Sequence, residues 1–442
     1  MSNPTTTTGF LSALGRRTEA PPIGWLMEYA LTHPHVISLA AGFTDNPSLP
    51  VAETEAIVRR LLGRRRTGEP ALQYGSTAGL PALRQLTAHR LSEQDRQASA
   101  TDAPANPADA PACDASLYLP DRAVVTSGSQ QLLYMLTEIL CDPGDIVLVE
   151  DPTYFVYLGI AQSHGLDCRG VATGPEGIDL EHLEAILKRL QASGEIHRLK
   201  LLYLVSYHQN PTGRTTTFAR KAAALRLLQR YERAAGHRLH LLEDAAYREL
   251  RFVGGDVPSA LCVAGAAERV LYVGTYTKPF ATGLRVGFGL LPEPIRTQVV
   301  RVKSNHDFGT SNLAQSILAT AIAEGSYDAH VRRLQRRYRR KAGWMTDAIK
   351  ASFPASIRWD APGGGMYVWA AAPRRTRTGL KSALFQHALA HDVLYVPGRL
   401  CYADDPHRRA PDHEMRLSFG NAGRGEIEAG IARLGAALRE LG

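Results

Sequence analysis

The chain has 442 residues, 44% of them apolar and 21% charged, with 51 Lys and Arg against 43 Asp and Glu for a formal charge of +8. That length exceeds what one hydrophobic core supports and points to two domains, and the balance of residues excludes a collagen-like or disordered chain. A basic excess can signal nucleic acid or membrane, but the longer of its two clusters, residues 64–66 and 332–341, carries Val331, Leu334 and Tyr338 at helical spacing. One buried stripe beneath a solvated basic face accounts for it, so neither partner is expected.

Residues 1–35 read as an N-terminal arm with a short helix around residues 23–31, ahead of a strand-like run at 36–41. Residues 98–116 (ASATDAPANPADAPACDAS) cannot bury apolar surface and read as a flexible insertion within a domain. From residue 123 the runs IVLVE, LKLLYLVSY, HLLEDAAY, VLYVGTY and GFGLL alternate with amphipathic segments such as residues 218–235. This alternation predicts an α/β domain over residues 36–330, a mainly parallel sheet with helices on both faces and ligands beyond the carboxyl ends of its strands. A long Arg-rich helix then leads into a smaller domain, 331–442, with strands at 365–371 and 415–419 and a terminal helix from Arg424.

Cys113, Cys141, Cys168, Cys262 and Cys401 are odd in number and widely spaced without a C-x-x-C pair, so no disulfide framework or metal site is expected and the compartment reads as reducing. The N-terminal run MSNPTTTTGFLSALGRR lacks the apolar core of a secretory signal, which makes a cytoplasmic enzyme the expectation.

The most informative segment is GTYTKPFATGLRVG, residues 274–287, directly after a strand. A lysine there, Lys278, can form an imine with an aldehyde cofactor, while Thr275, Thr277 and Arg285 can hold a phosphate dianion. Taken alone, such a lysine is an ordinary surface charge. The run SYHQNPTG ends one strand and Asp244-Ala245-Ala246-Tyr247 ends the next. A buried Asp244 would keep a pyridine nitrogen protonated, and Asn210 and Tyr247 suit a phenolic oxygen on the same ring. Separately, these residues read as a turn and a helix cap. The strand-to-helix transition at residues 126–131, TSGSQQ, offers backbone N–H groups for an anion.

As a set, these segments resemble the class I/II aminotransferases of pyridoxal-phosphate fold type I, within the aspartate-aminotransferase superfamily and especially its aminoadipate/kynurenine aminotransferase-like branch. The runs ISLAAGFTDNPSLP, LQYGSTAGLPALR, VTSGSQQ, PGDIVLVEDPTY, HQNPTG, EDAAYREL, GTYTKPFATGLRVGF, PGGGMYVW, VPG and MRLSFG follow the family's landmarks in order from about residue 37 to the C-terminus. The resemblance implies a seven-stranded, mainly parallel sheet sandwiched by helices, with a small α+β domain beside it. It also implies a Schiff base between Lys278 and pyridoxal 5'-phosphate. Tyr154 would stack on the ring, Ser129 and Gln130 would join Thr275, Thr277 and Arg285 on the phosphate, and Tyr74 would reach it from the neighbouring subunit of a homodimer. Arg416, with Gly42 and Asn210 beside it, would hold the substrate carboxylate, and Lys278, Asp244 and Tyr247 would carry catalysis.

The implied reaction is transamination between an L-amino acid and a 2-oxo acid. Two departures leave the reaction type open: the branch usually has a proline and an apolar residue where this chain has Ser206 and His208. A polar His208 near the reacting centre is compatible with β- or γ-elimination, replacement or decarboxylation on the same scaffold, whereas a satisfied buried histidine would be neutral. A regulator carrying a winged-helix module is the third reading, and about 35 residues before the first landmark are too few for that module.

Overall fold

The computed structural model describes residues 10–20, 22–101 and 110–441. Its centre is an eight-stranded sheet in the order Ala123–Thr126, Gly287–Leu290, Val270–Thr275, His240–Asp244, Leu199–Val205, Ile146–Asp151, Asp167–Gly174, Gly177–Ile178. The five strands from Val270–Thr275 to Asp167–Gly174 are mutually parallel. The last strand is a two-residue antiparallel addition, so seven principal strands become eight. Strands Ile146–Asp151 and Val270–Thr275 are buried at every position, which follows from their continuous β-branched and Leu-rich runs: helices cover both faces, so no position can be polar by alternation.

One apolar cluster fills one face of this sheet, through Leu202, Leu204, Leu225 and Leu241. A second fills the other face and continues without a break into the C-terminal part, through Val149, Tyr203, Tyr367 and Leu417. That part contains an antiparallel sheet ordered Arg358–Trp359, Tyr367–Ala371, Glu414–Ser418, Val396–Pro397, with the helix Arg424–Glu440. Ile37–Ser38 pairs in parallel with Val393–Leu394, and the Ser418 N–H donates to Leu39 O, so the start of the chain's ordered core lies with its end. The arm supplies the helix Pro22–Thr32.

Three expectations are corrected. Residues 98–101 are the last turn of the helix Pro81–Thr101 rather than loop, and residues 102–109 lie outside the described residues. Cys113 and Cys262, 149 residues apart, form a disulfide, with the Ala112 N–H donating to Cys262 O beside it. Wide spacing in sequence concealed this pair because the fold brings the segment ahead of the 3-10 turn Ala115–Tyr118 against the turn Ala260–Cys262. Third, the basic face of Ser326–Ser352 is not wholly solvated. Val331, Leu334 and Tyr338 are buried as expected, but Lys341 is buried with them and donates to Asp45 Oδ1 at 2.5 Å and Gly420 O at 2.7 Å. Arg337 adds a bond to Asp45 Oδ2 at 3.2 Å.

Removing one partner of a buried ion pair leaves the other short of compensation; without Lys341 the buried Asp45 would keep only Arg337 as a cation. Lys341→Met should therefore lower unfolding stability by about 3–5 kcal/mol, and Asp45→Asn combined with Lys341→Met should recover part of it, measured by urea denaturation. A double variant no more stable than the single one would remove Asp45 and Lys341 as a coupled pair. Thiol titration in denaturant without reductant should count three of the five cysteines; five would show that Cys113 and Cys262 do not pair.

Candidate active site

Val205, Asp244 and Thr275 end three adjacent parallel strands; the register sets Asp244 opposite Val205 on one side and opposite Val273, two residues before Thr275, on the other. They line a cavity of about 190 Å³ together with Ser129, Gln130, Tyr154, Tyr247, Thr277, Lys278 and Arg285. A larger cavity of about 700 Å³ shares Gln130, Tyr154, Tyr247, Thr277, Lys278 and Arg285 and adds Gly42, Asn210 and Arg416. Of the thirteen residues singled out from sequence, twelve line one or both of these cavities. Another cavity, of about 770 Å³, lies apart from them; its charges are largely spent on each other, Arg90 with Glu249 and Asp328, and Arg248 with Asp256.

One end of the smaller cavity is built for an anion. Gly128, at φ 83°, turns the chain into the helix Ser129–Leu140, whose first N–H groups have no partners within the helix. A Cβ on Gly287 would fall 2.3 Å from Ser129 N, so glycine there lets the neighbouring strand close on the helix start. Arg285 holds a left-handed conformation, φ 51°, with its guanidinium against Gly128. The Thr277 hydroxyl is buried without a hydrogen-bond partner among the described residues. The Thr275 hydroxyl is already used, donating to Val286 O at 3.1 Å and accepting from the Thr277 N–H at 3.1 Å. Its part is to shape the loop that presents Thr277. Behind the loop, Asp307 accepts from Ser127 at 3.2 Å and Gln131 at 2.8 Å and is itself held by Lys303 at 2.6 Å, a brace that no motif revealed.

At the strand ends, Asp244 is buried, with Oδ2 accepting from Tyr203 at 2.9 Å and Oδ1 from the Ala246 N–H at 3.0 Å. Burial pushes its carboxyl up to about 6, against the pull of those two bonds. Tyr203 stacks on Tyr157 with ring centroids 3.8 Å apart, which fixes the hydroxyl that orients the carboxylate. Lys278 donates to Gly42 O at 3.0 Å, and burial, with Arg285 and Arg416 nearby, brings its amine down to about 8.

The other end is formed by Arg416, which donates to Ala40 O at 2.6 Å and Asn210 Oδ1 at 2.8 Å. Its Nε has no partner among the described residues, and its guanidinium lies 4.4 Å from the Tyr367 ring centroid and 5.1 Å from that of Phe155. Asn210 Nδ2 donates to the Tyr247 hydroxyl at 3.4 Å, and that hydroxyl is 3.2 Å from the Tyr367 hydroxyl. Tyr203, Tyr367 and Phe155 were not assigned from sequence; Tyr367 lay inside the landmark PGGGMYVW, the one signal that could have pointed to it.

Tyr74 lines neither cavity: it is 81% exposed and packs edge-on against Phe308. His208 also lines neither. Its ring lies on Gly364, where a Cβ would fall 2.5 Å from three ring atoms, its Nδ1 is 3.3 Å from Thr215 Oγ1, and burial takes its pKa down to about 4. It is a buried neutral histidine.

The raised Asp244 pKa carries a sign. A carboxyl at about 6 when folded, against 3.8 ordinarily, contributes stability that is full below about pH 4 and lost as pH rises through about 6. Asp244→Asn should therefore flatten that part of the stability profile of ligand-free protein and raise its stability at pH 7 by on the order of 3 kcal/mol. A variant that keeps the wild-type slope between pH 4 and 6 would show that Asp244 is not the group responsible.

The chain matches the family described as aminotransferase class I and II over residues 34–434. It is 31% identical to a 2-aminoadipate transaminase of Thermus thermophilus, covering 92% of this chain and 91% of the relative. It is 30% identical to an aromatic-amino-acid aminotransferase of Thermococcus litoralis, covering 92% and 88%. Among solved structures, a kynurenine aminotransferase of Pyrococcus horikoshii superposes with a TM-score of 0.85 at 27% identity, covering 98% of this chain and 97% of that one. The α-aminoadipate aminotransferase of Thermus thermophilus, solved with N-(5'-phosphopyridoxyl)-L-leucine, gives 0.79 at 30%, covering 97% of each. These likenesses favour transamination over elimination, replacement or decarboxylation. The chain belongs to the class I and II aminotransferases, and it is a fold type I, pyridoxal-phosphate-dependent transferase of amino groups.

Proposed function

We propose that Lys278 is the attachment point for pyridoxal phosphate and the proton carrier of the reaction, with Arg416 as the site for the α-carboxylate of the amino donor and of the oxo-acid acceptor. The observation that carries this is the placement of Lys278 among the residues common to both cavities, with an anion cradle on one side and the buried Arg416 on the other. The residues fit the cofactor: Thr277 brings an unpartnered buried hydroxyl, Arg285 a cation, and the helix start at Ser129 and Gln130 free N–H groups. Asp244 provides the carboxylate for a ring nitrogen. Asn210 and Tyr247 supply donors for a ring oxygen, and Tyr154 an aromatic face.

When bound, pyridoxal phosphate supplies an aldehyde that takes up the amino group and a ring that withdraws electrons from the donor's α-carbon. Arg416 holds the donor by two parallel hydrogen bonds that an ammonium could not match. Its free Nε and the flanking rings of Tyr367 and Phe155 limit the poses available. Lys278, with its amine brought down to about 8, is substantially neutral at slightly alkaline pH and can take a proton from the α-carbon and return it. Asp244, held by Tyr203 and Ala246, would be the carboxylate that keeps a proton on the cofactor's ring nitrogen.

The exposed aromatic pair Tyr74 and Phe308, with Leu72 68% exposed beside Tyr74 in sequence, supports a homodimer in which Tyr74 serves the neighbouring site. We place the division between large and small domains at residue 330, with the paired segment Ile37–Ser38 accompanying the small one.

Borohydride treatment of the cofactor-loaded protein, followed by peptide mass analysis, should place a phosphopyridoxyl group on Lys278 and on no other lysine. Lys278→Ala should abolish the adduct and transamination together. Arg416→Lys should raise KM for both amino and oxo acids at least about tenfold with the adduct unchanged. An adduct on a different lysine, or unaltered KM in the Arg416 variant, would overturn the assignments.

A further inference from the structure

The larger cavity is charged unevenly. Its cations, Lys278, Arg285 and Arg416, all belong to the cofactor end, and its one carboxylate is Glu19, contributed by the arm. The wall between the two ends is a single helix, Phe155–His164, which presents Phe155, Val156, Gly159, Ile160 and Ser163 on one face. Phe155 touches Arg416, with the guanidinium 5.1 Å from its ring centroid. At the far end the arm is pinned to the same helix: Arg17 donates to Ser163 O at 3.4 Å, Gln162 donates to Arg17 O, and the Glu19 N–H donates to Gln162 Oε1 at 3.4 Å. From Phe155 to Ser163 the helix rises about 12 Å. The Glu19 carboxylate is exposed and makes no hydrogen bond or ion pair among the described residues.

We infer that the distal end of this cavity accepts an amino donor whose apolar stem runs along Phe155–His164 and ends in a cation, an amine or guanidinium, paired with Glu19. This rests on Arg416 being the carboxylate site. A side chain of lysine or arginine size, meeting the Glu19 side chain, spans the wall; Val156 and Ile160 cover its methylenes. A donor ending in a second carboxylate would find a like charge there, and the one arginine at that end, Arg17, is turned onto Ser163 O and Gly165 and does not line the cavity.

The test uses cofactor-loaded protein and carboxylic acids that lack the α-amino group and so cannot react: 5-guanidinopentanoate, hexanoate and adipate, titrated by calorimetry. The guanidino acid should bind about fivefold more tightly than hexanoate, the upper end for a solvent-exposed ion pair, and adipate more weakly than either. Glu19→Gln should erase the guanidino preference and leave hexanoate within about twofold, while Glu19→Arg should place adipate first. Equal binding of all three acids, a wild-type preference for adipate, or a guanidino preference that survives in Glu19→Gln would overturn the inference. Hexanoate binding that is unchanged in Arg416→Ala would instead overturn the carboxylate assignment, so the two failures are separable.

Discussion

The guanidinium of Arg416 is a buried cation with no carboxylate in contact among the described residues. Its partners are a backbone carbonyl, an amide oxygen and two aromatic faces, each contributed by a different stretch of chain: Ala40 from the start of the core, Asn210 from the loop after a central strand, Tyr367 from the small sheet and Phe155 from the helix behind the cofactor cavity. A charge taken out of water without a counter-ion is costly, and neutral donors and ring faces offset only part of it. The protein maintains this by packing both sheets around it. That packing decides where the small sheet sits, where Asn210 points and how Tyr367 meets Tyr247, so the rest of the site follows from housing one unpaired arginine.

The cofactor cavity next to it shows the opposite arrangement. Asp244 is an acid held by two donors in a place that disfavours its charge, and the stacked pair Tyr203 and Tyr157 keeps it from turning away. Lys278 is a base whose charge is disfavoured by burial and by two arginines. Each group is uncomfortable in the protein alone, and each is complementary to something a phosphorylated pyridine aldehyde brings. Such opposed shifts mark a functional site more clearly than any single residue does.

Much of this was legible from sequence because the chemistry sits at strand ends, and strand ends are marked by a run of apolar residues giving way to polar ones. Asp244, Lys278 and Asn210 each follow such a run. Tyr203 could not be found that way: it lies within a buried strand, where an aromatic residue reads as core, and only its hydroxyl contact with Asp244 separates it from its neighbours. Thr275 and Thr277 looked equivalent, yet one hydroxyl closes the loop and the other is free, a difference of backbone geometry that spacing does not encode. The disulfide between Cys113 and Cys262 was hidden for a similar reason, since a sequence separation of 149 residues carries no trace of the contact. The buried Lys341 escaped because its partner, Asp45, lies nearly three hundred residues away in another segment.

His208 and Gly364 form a pair with a historical consequence. The imidazole lies flat on Gly364, the middle of three consecutive glycines, and His208 itself holds φ 43°, a conformation most residues resist. Any side chain at 364 would intrude on the ring, and a smaller residue at 208 would leave an unfilled space beneath the glycine. Neither position can change alone without loss, so mutational paths away from this arrangement must pass through a weakened intermediate or alter both positions together. The two residues, 156 positions apart in sequence, are expected to be epistatic, and an ancestor reconstructed with only one of them would be a poor guide to how this loop was acquired.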